Sequence, residues 1–190
     1  MVDMYLNIDG IKGESTDDKH KDWIQLLSYS HGMSMPVSST KSSAGGATTG
    51  RTQHGDFSVT KYIDLASPGL AGAVTSGKHI DKVIFEMCRA GGSQVPFMTV
   101  TMGQVIVSKV QHNGPQNVGG GGDAENNPGA GVGTGTSTSL AASNADVLPT
   151  ETVSLNYGTI EWKYTQQKRT DGSGGGSTST KADLTKGTSA

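Results

Sequence analysis

Apolar residues recur at every second position over much of this chain, the spacing that puts alternate side chains on the two faces of a β-strand. Between Val2 and Ile8 every even-numbered residue is apolar, and Asp9-Gly10 follows as a turn. A second alternating run covers residues 23–31. Further strands are predicted over residues 57–62, 80–89, 95–111 and 151–168. The pattern therefore predicts a mainly β protein.

Several of the predicted strands carry signs of twist or bending. In the run over residues 23–31, one face begins apolar and ends in Ser28 and Ser30. Such a change suits the wall of a twisted barrel, where one end of a strand meets the core and the other meets water. Gly103 predicts a bulge or bend, and a one-residue shift in apolar phase predicts a bulge or turn at Tyr157-Gly158.

One segment between the strands is predicted to be helical, over about residues 68–76. Ser67 is expected to be the N-cap, and Pro68, which has no N–H to leave unpaired, suits the first helical position. Leu70 begins an apolar stripe at the i, i+3, i+4 spacing, and Gly77 supplies a left-handed stop. The helix should form only when this stripe packs against a sheet.

Two tracts and the end of the chain are poor in large apolar residues. Residues 36–55 and 113–149 are predicted to be long loops, and residues 169–190 a flexible tail behind a domain that spans residues 1–168. The first loop is expected to cross to a neighbouring copy in an oligomer. The candidate residues for that contact are Pro36, Lys41, Arg51 and His54.

Composition narrows the possible partners. The chain has 190 residues, 28 of them glycine, and 15 basic against 17 acidic residues without a basic cluster. This balance argues against partners held by charge, so neither nucleic acid nor an anionic membrane is expected. The first ten residues have neither the basic start of a signal peptide nor the length of a membrane span. Cys88 is alone, so it is expected to be a small buried residue.

Motifs for catalysis or cofactor binding are missing or incomplete. Residues 72–79, GAVTSGKH, fall one residue short of a phosphate-binding loop, and they close a predicted helix instead of opening one. The five histidines have no metal-binding spacing and are expected on the surface or in strands. No G-x-S-x-G motif marks a nucleophile. We therefore expect no enzyme activity, cofactor or metal.

The order of short motifs resembles the Hcp family, the haemolysin-coregulated tube proteins of type VI secretion systems. The motifs are GIKGES (10–15), SYSHGM (28–33), VTKYID (59–64), SP-x-L (67–70), SGKH (76–79), AGG (90–92) and VSLNYG (153–158). Each is weak alone, and the specificity lies in their order. The residues that carry the central motif are Thr60, Lys61, Asp64, Ser67, Pro68, Leu70 and Gly77.

This resemblance implies a small β-barrel, or two packed antiparallel sheets, with one short helix. It further implies a homohexameric ring, stacking of rings into a hollow tube, a contractile sheath that propels the tube, a spike protein at its tip and effector proteins as cargo. Such a protein assembles in the bacterial cytoplasm and is then secreted without a signal peptide. Ser28 and Ser30 would face the bore of a hollow tube, or would simply end a solvent-facing strand.

Two other functions are compatible with a small β domain. A contractile phage-tail or phage-like particle tube protein shares the barrel and ring arrangement. A monomeric binding module for sugar or peptide would need an exposed aromatic platform, and only 5% of the residues are aromatic. A ring of six copies would support a tube protein, whereas a monomer would support the binding module.

Overall fold

The computed structural model describes residues 2–36, 51–89, 95–114, 148–167, 174–186 and 188–189. These residues form eleven strands and one helix. The strands are β1 (Val2–Ile8), β2 (Ile24–Leu26), β3 (Ser28–Ser30), β4 (Met33–Ser34), β5 (Gln53–His54), β6 (Phe57–Tyr62), β7 (His79–Arg89), β8 (Pro96–Asn113), β9 (Thr150–Gln167), β10 (Gly174–Asp183) and β11 (Thr188–Ser189). The helix is α1 (Ser67–Ser76).

The large sheet is antiparallel and nearly closes on itself. Its strands follow the order β6, β9, β8, β7, β1, β2, and β3 pairs back onto β6. Because β2 and β3 are consecutive, and the Leu27 amide between them donates to the Thr60 carbonyl at 2.8 Å, the two ends of the sheet meet. Side chains from β1, β2, β6, β7, β8, β9 and α1 fill the interior. The predicted barrel with one short helix is confirmed.

The strand predicted over residues 23–31 is in fact two strands. Residues 24–26 pair with β1, whereas residues 28–30 pair with β6, so the chain changes partner at Leu27. The apolar start of the run, Ile24 and Leu26, is buried, and all of β3 is exposed. The change in side-chain character along the run therefore marks a change of partner.

The backbone of β8 departs from regular strand geometry at the place where the apolar phase shifts. Gln104 has a positive φ of 53°, and it lies across from Gly158. The pairs Gly103–Thr159 and Val105–Tyr157 on either side keep the same register, and β9 is continuous from Thr150 to Gln167. The bulge or turn predicted at Tyr157-Gly158 is therefore wrong, because the apolar phase changes on both strands at once and their pairing is kept. The register shift between β8 and β9 falls instead between Val107 and Lys109.

Helix α1 begins one residue earlier than predicted. Ala66 is the N-cap and makes no side-chain cap, while Ser67 is the first helical residue. Ser67 is therefore not the N-cap, because its hydroxyl is engaged with groups outside the helix. The end is as predicted, since Gly77 has a φ of 61° and its N–H points to the Val74 carbonyl. Leu70 is buried, and α1 packs on β8.

The C-terminal segment corrects the prediction of a flexible tail. Within residues 169–190, Gly174–Asp183 form β10, which pairs antiparallel with β9. Strand β6 uses only the first part of β9, up to Leu155, so the edge from Thr159 onward remains available for β10. A Gly/Ser/Thr segment has little apolar surface to bury, yet its backbone can pair with such an edge as well as any other.

The predicted loop over residues 36–55 has an ordered base. Strands β4 and β5 pair with each other through Met33–His54 and Ser34–Gln53, so the chain leaves and returns as a small two-stranded sheet. Residues 37–50, including Lys41, lie outside the described residues, as do residues 115–147 of the second tract. The one described helix is too short to cross a membrane.

Candidate functional site

Two residues of the central sequence motif, Lys61 and Ser67, contact a carboxylate from β9, and Asp64 contacts both of them. Lys61 Nζ lies 2.7 Å from Glu151 Oε1 and 2.6 Å from Asp64 Oδ1, and it donates to the Tyr62 carbonyl at 2.8 Å. Ser67 Oγ donates to Glu151 Oε1 at 2.8 Å and accepts from the Asp64 amide. We call Lys61, Asp64, Ser67 and Glu151 the Lys61 cluster. It ties β6, the turn before α1, and β9 together.

The Lys61 cluster is withdrawn from water. The side chains of Lys61 and Glu151 are 1% and 0% exposed. Glu151 Oε2 has no hydrogen-bond donor among the described residues, because His112 Nδ1 lies 3.1 Å away but is not oriented to donate to it. Burying such charges is expensive unless each one keeps its partners, so the geometry here must be maintained. The cluster is a structural lock.

The other motif residues serve the fold. Thr60 pairs with Ser28 and Thr152 in the ladders on either side of β6. Pro68 is exposed in the first turn of α1, Leu70 packs in the core, and Gly77 ends the helix. The structure therefore places Lys61, Asp64 and Ser67 in one cluster and gives the remaining motif residues local roles.

A second polar cluster lies between the loop before β2 and strand β7. His20 Nδ1 is 2.8 Å from Asp17 Oδ1, its Nε2 is 2.9 Å from Glu86 Oε2, and Cys88 Sγ is 3.9 Å from the same nitrogen. We call Asp17, His20, Glu86 and Cys88 the His20 cluster. The expectation of a surface or strand histidine is wrong for His20, which is 1% exposed and lies in a loop.

The environment of the His20 cluster shifts two pKa values. Burial, followed by the nearby charge of Glu86, raises the pKa of the Cys88 thiol to about 11, so the thiol keeps its proton near neutral pH. Desolvation opposes ionisation of Asp17, but hydrogen bonds from His20 and the Lys19 amide outweigh it and lower its pKa. Cys88 is fully buried, as predicted.

The candidate lumen residues lie on an exposed strand. Ser28 and Ser30 are both exposed in β3, and they pair with Thr60 and Ser58 of β6. Tyr29 between them is 41% exposed, and its ring contacts Phe57 and Phe85. A bore-facing position and a solvent-facing strand end both fit this placement.

The described candidates of the 36–55 loop lie at its base. Pro36 is exposed, and Arg51 Nη2 donates to the Leu184 carbonyl at 3.4 Å. His54 Nδ1 is 3.2 Å from the Tyr157 hydroxyl, which also lies 2.6 Å from His31 Nε2. These contacts fasten the paired strands β4 and β5 to β9 and to the turn after β10.

At the base of the 36–55 loop, the pKa shifts of Tyr157 and His31 both favour the uncharged form of the side chain. Burial raises the pKa of Tyr157 to about 12, with a smaller contribution from the charge of Asp56. Burial also lowers the pKa of His31, and the charge of His54 acts in the same direction. A neutral His31 can accept the proton of the Tyr157 hydroxyl, while His54 can donate to the same oxygen.

An exposed apolar surface surrounds the end of β6. Tyr62, Ile63, Leu65 and Leu148 are each between 43% and 67% exposed. The Ile63 amide donates to the Pro149 carbonyl, which brings the segment containing Leu148 beside this turn. We call these four residues the apolar patch. Tyr62 also lines a shallow cavity with Val2 and Leu27, both of them exposed, so the apolar surface continues onto β1.

Sequence reasoning missed Glu151, Tyr157 and the grouping of His20 with Glu86 and Cys88. Glu151 is 84 residues from Ser67, and Glu86 is 66 residues from His20, so no local spacing reports these contacts. One signal was present for Glu151, since a carboxylate at the buried start of a strand requires a partner. Strand β6 pairs with β9, and its single basic residue, Lys61, lies directly opposite Glu151 in the register.

The described residues thus form a small, nearly closed β-barrel with one helix, an internal cluster of ion pairs and an exposed apolar patch. Residues 5–164 match the family model described as "Type VI secretion system effector, Hcp". Protein hcp1 of Pseudomonas aeruginosa is 33% identical over 176 residues, which cover 92% of this chain and 90% of that protein. This chain therefore belongs to the Hcp family, whose members are structural, secreted proteins.

Solved structures agree with this assignment. A structure described as a type six secretion system protein is 27% identical, has a TM-score of 0.79 and matches 100% of both chains. The crystal structure of Hcp1 from Salmonella typhimurium is 26% identical with a TM-score of 0.69, over 100% of this chain and 99% of that one.

Proposed function

We propose that this chain is a subunit of the inner tube of a type VI secretion system, in which six copies form a ring and the rings stack around a hollow bore. The observation that carries the proposal is the family match over residues 5–164, which begins within β1, includes β2 to β8 and covers most of β9. The chain would act without catalysis, as a structural element and a carrier.

The apolar patch supports a contact between neighbouring copies. Four large apolar side chains at one turn would favour burial against a complementary surface, and residues at the free edges of the sheet could add backbone pairing. A contact between two different surfaces of the same chain, repeated with a closing rotation, makes a ring. We infer that Leu65, which is 67% exposed, is central to this contact.

The 36–55 loop supports a contact between stacked rings. Its base is fastened to the barrel through His54 and Arg51, which would let the rest of the loop extend toward a neighbour from a fixed origin. Pro36 lies at this base, and Lys41, the other candidate for the contact, lies outside the described residues. The small polar residues Ser28 and Ser30 would face the bore, where they would let effector proteins pass without strong adhesion.

The remaining partners follow from the family. The tube would assemble in the bacterial cytoplasm, contact a contractile sheath on its outside and a spike protein at its tip, and leave the cell with its effectors. The near balance of 15 basic and 17 acidic residues gives no support to nucleic-acid or anionic-membrane partners.

Particle size in solution tests the ring. The purified chain should sediment near six times 19.6 kDa and appear as rings in negative-stain images. Leu65→Asp should give monomers, because a charge in the apolar patch opposes its burial. Tyr164→Asp, at an exposed aromatic residue on the far part of β9, is the matched control and should leave the rings intact. A compact wild-type monomer at high concentration would overturn the proposal.

Deletion of residues 37–50 tests the stacking role separately. The variant should keep rings of normal diameter, because β4, β5 and the barrel remain, but tubes should be shorter or absent. Tubes of normal length would remove the loop from ring stacking and leave the ring itself unaffected.

A further inference from the structure

The His20 cluster brings together three kinds of metal-binding atom beneath the loop before β2, on the face of β7 opposite the core residue Phe85. His20 Nε2, Glu86 Oε2 and Cys88 Sγ all lie within 4.8 Å of one another. In a tetrahedral zinc site, bond lengths of about 2.0–2.3 Å place neighbouring ligand atoms about 3.3–3.6 Å apart. The nitrogen–oxygen distance of 2.9 Å and the sulfur–nitrogen distance of 3.9 Å bracket that spacing. Small side-chain rotations would make room for the ion.

The backbone presents these ligands from two directions. Glu86 and Cys88 are two residues apart on β7, so their side chains point to the same face of the sheet. His20 approaches that face from the loop before β2. Its ring stacks on Tyr5, with centroids 4.2 Å apart and planes within 3°, and its edge meets Trp23. The imidazole is therefore fixed in orientation before any ion arrives.

Asp17 determines which nitrogen of His20 is available. The Asp17 carboxylate accepts from the Lys19 and His20 amides and faces His20 Nδ1 at 2.8 Å. A histidine that gives its Nδ1–H to a carboxylate keeps Nε2 for a metal, and this pairing is the usual outer contact of a metal-bound histidine. Here Nε2 points toward both Glu86 and Cys88.

We propose that His20 Nε2, Glu86 Oε2 and Cys88 Sγ bind a zinc ion, with Asp17 orienting the imidazole from behind. A mixed set of nitrogen, oxygen and sulfur atoms suits zinc, whereas calcium and magnesium prefer oxygen atoms alone. The Glu86 side chain is 20% exposed, which gives the ion a path from solvent and leaves room for a water at the fourth position. The ion would link the loop before β2 to β7.

Binding of the ion displaces protons. The thiol proton of Cys88 passes to solvent as the sulfur–zinc bond forms, and the hydrogen between His20 Nε2 and Glu86 is released as both atoms become ligands. No electrons are transferred. Because the ligands must lose their protons to bind the ion, affinity should fall as the pH falls.

Cobalt(II) is a direct probe of this site, because Cys88 is the only cysteine in the chain. Added to the purified full-length protein, cobalt should produce a thiolate-to-cobalt charge-transfer band in the near ultraviolet, and zinc should displace it. Cys88→Ser should abolish the band. His79→Gln, which removes an exposed histidine at the start of the same strand, is the matched control and should retain it.

Zinc affinity, measured by competition with a chromophoric chelator, gives a second readout. It should weaken at least tenfold in Glu86→Gln and about tenfold in Asp17→Asn, since loss of an outer partner typically weakens binding by 10–100-fold. Circular dichroism confirms that each variant is folded. The proposal is overturned if cobalt gives no thiolate band, if Cys88→Ser binds zinc like the wild type, or if His79→Gln loses the band. His20 would then be only an ion-pair bridge between two carboxylates.

Discussion

The Lys61 cluster and the His20 cluster each hold a basic side chain between two carboxylates, but the basic groups differ in what else they can do. The Lys61 ammonium has donors only, and its neighbours Tyr62, Asp64 and Glu151 use them. An imidazole has two ring nitrogens, and each of those in His20 faces one carboxylate, with the Cys88 thiol close by.

This difference in chemistry matches a difference in burial. In the Lys61 cluster the carboxylates are 9% and 0% exposed, whereas those of the His20 cluster are 15% and 20% exposed. The first arrangement excludes solvent and fixes one set of partners. The carboxylates of the second cluster reach solvent, and His20 has a ring nitrogen that could bind a metal ion in place of a carboxylate. Similar residues therefore form a fixed structural contact in one cluster and a possible binding site in the other.

Removal of Lys61 should have the largest effect. Lys61→Met leaves the buried Glu151 carboxylate without its countercharge, and loss of one member of a buried pair typically lowers the free energy of unfolding by about 3–5 kcal/mol. Urea denaturation of the purified protein measures this change. Lys109→Met, at an exposed position of β8, is the matched control and should change stability by less than about 0.5 kcal/mol.

The double variant Lys61→Met with Glu151→Leu sharpens that result. With both charges gone, the loss of stability should be smaller than the sum of the losses in the two single variants, because the double variant leaves no charge of this pair buried without its countercharge. Strict additivity would mean that Lys61 and Glu151 do not act as a unit, which would contradict the lock.

Part of the Lys61 cluster could be predicted from the sequence. Lys61, Asp64 and Ser67 lie within seven residues and could be singled out as a motif, but Glu151, the partner of both Lys61 and Ser67, comes from a distant strand. Ser67 shows the limit of a local rule. A serine before Pro68 is a good N-cap in isolation, yet the buried Glu151 carboxylate competes for its hydroxyl and wins.

The fold itself was more accessible, because strand faces follow from alternation. The phase shift at Gly158 coincides with a positive φ at Gln104 on the paired strand, but the predicted bulge or turn is absent from the described strands, because β8 and β9 change phase together. Strand β10 was missed for a physical reason. Its Gly/Ser/Thr residues carry no apolar pattern, and its order comes from backbone pairing with an edge of β9 that the sequence does not reveal.

Removal of His20 should have an intermediate effect. His20→Gln leaves Asp17 and Glu86 with a weaker partner, but both carboxylates reach some water, so we expect a loss of about 1–3 kcal/mol. Zinc separates this cluster from the other. At about 100 times the dissociation constant, zinc should stabilise the wild type by about 2.7 kcal/mol and the variant not at all.

Thermal unfolding with and without zinc measures both the loss of stability in His20→Gln and the stabilisation by zinc. Zinc should still stabilise Lys61→Met by about the same amount as the wild type. This substitution lowers the stability of the fold but leaves the His20 cluster, and so the zinc ligands, in place. An equal zinc effect in wild type and His20→Gln would show that the ion binds elsewhere, and the contrast between the two clusters would then rest on burial alone.

The smallest effect is expected at the base of the 36–55 loop, where His31 and His54 both contact the Tyr157 hydroxyl. Burial, with help from the charge of His54, holds the pKa of His31 below its usual value of 6.5, so the folded state binds fewer protons than the unfolded state in this range. Stability should therefore decrease as the pH falls through about 6.5, and the loss should level off below the folded pKa. About 1 kcal/mol, the size of one hydrogen bond, is the expected scale.

Urea titrations between pH 7.5 and pH 4.5, a range chosen to bracket the unfolded pKa of about 6.5, measure this slope. His31→Gln should flatten the slope, because the titrating group is gone, while His79→Gln, at an exposed histidine, should keep it. A slope unchanged by His31→Gln would assign the pH dependence to another group.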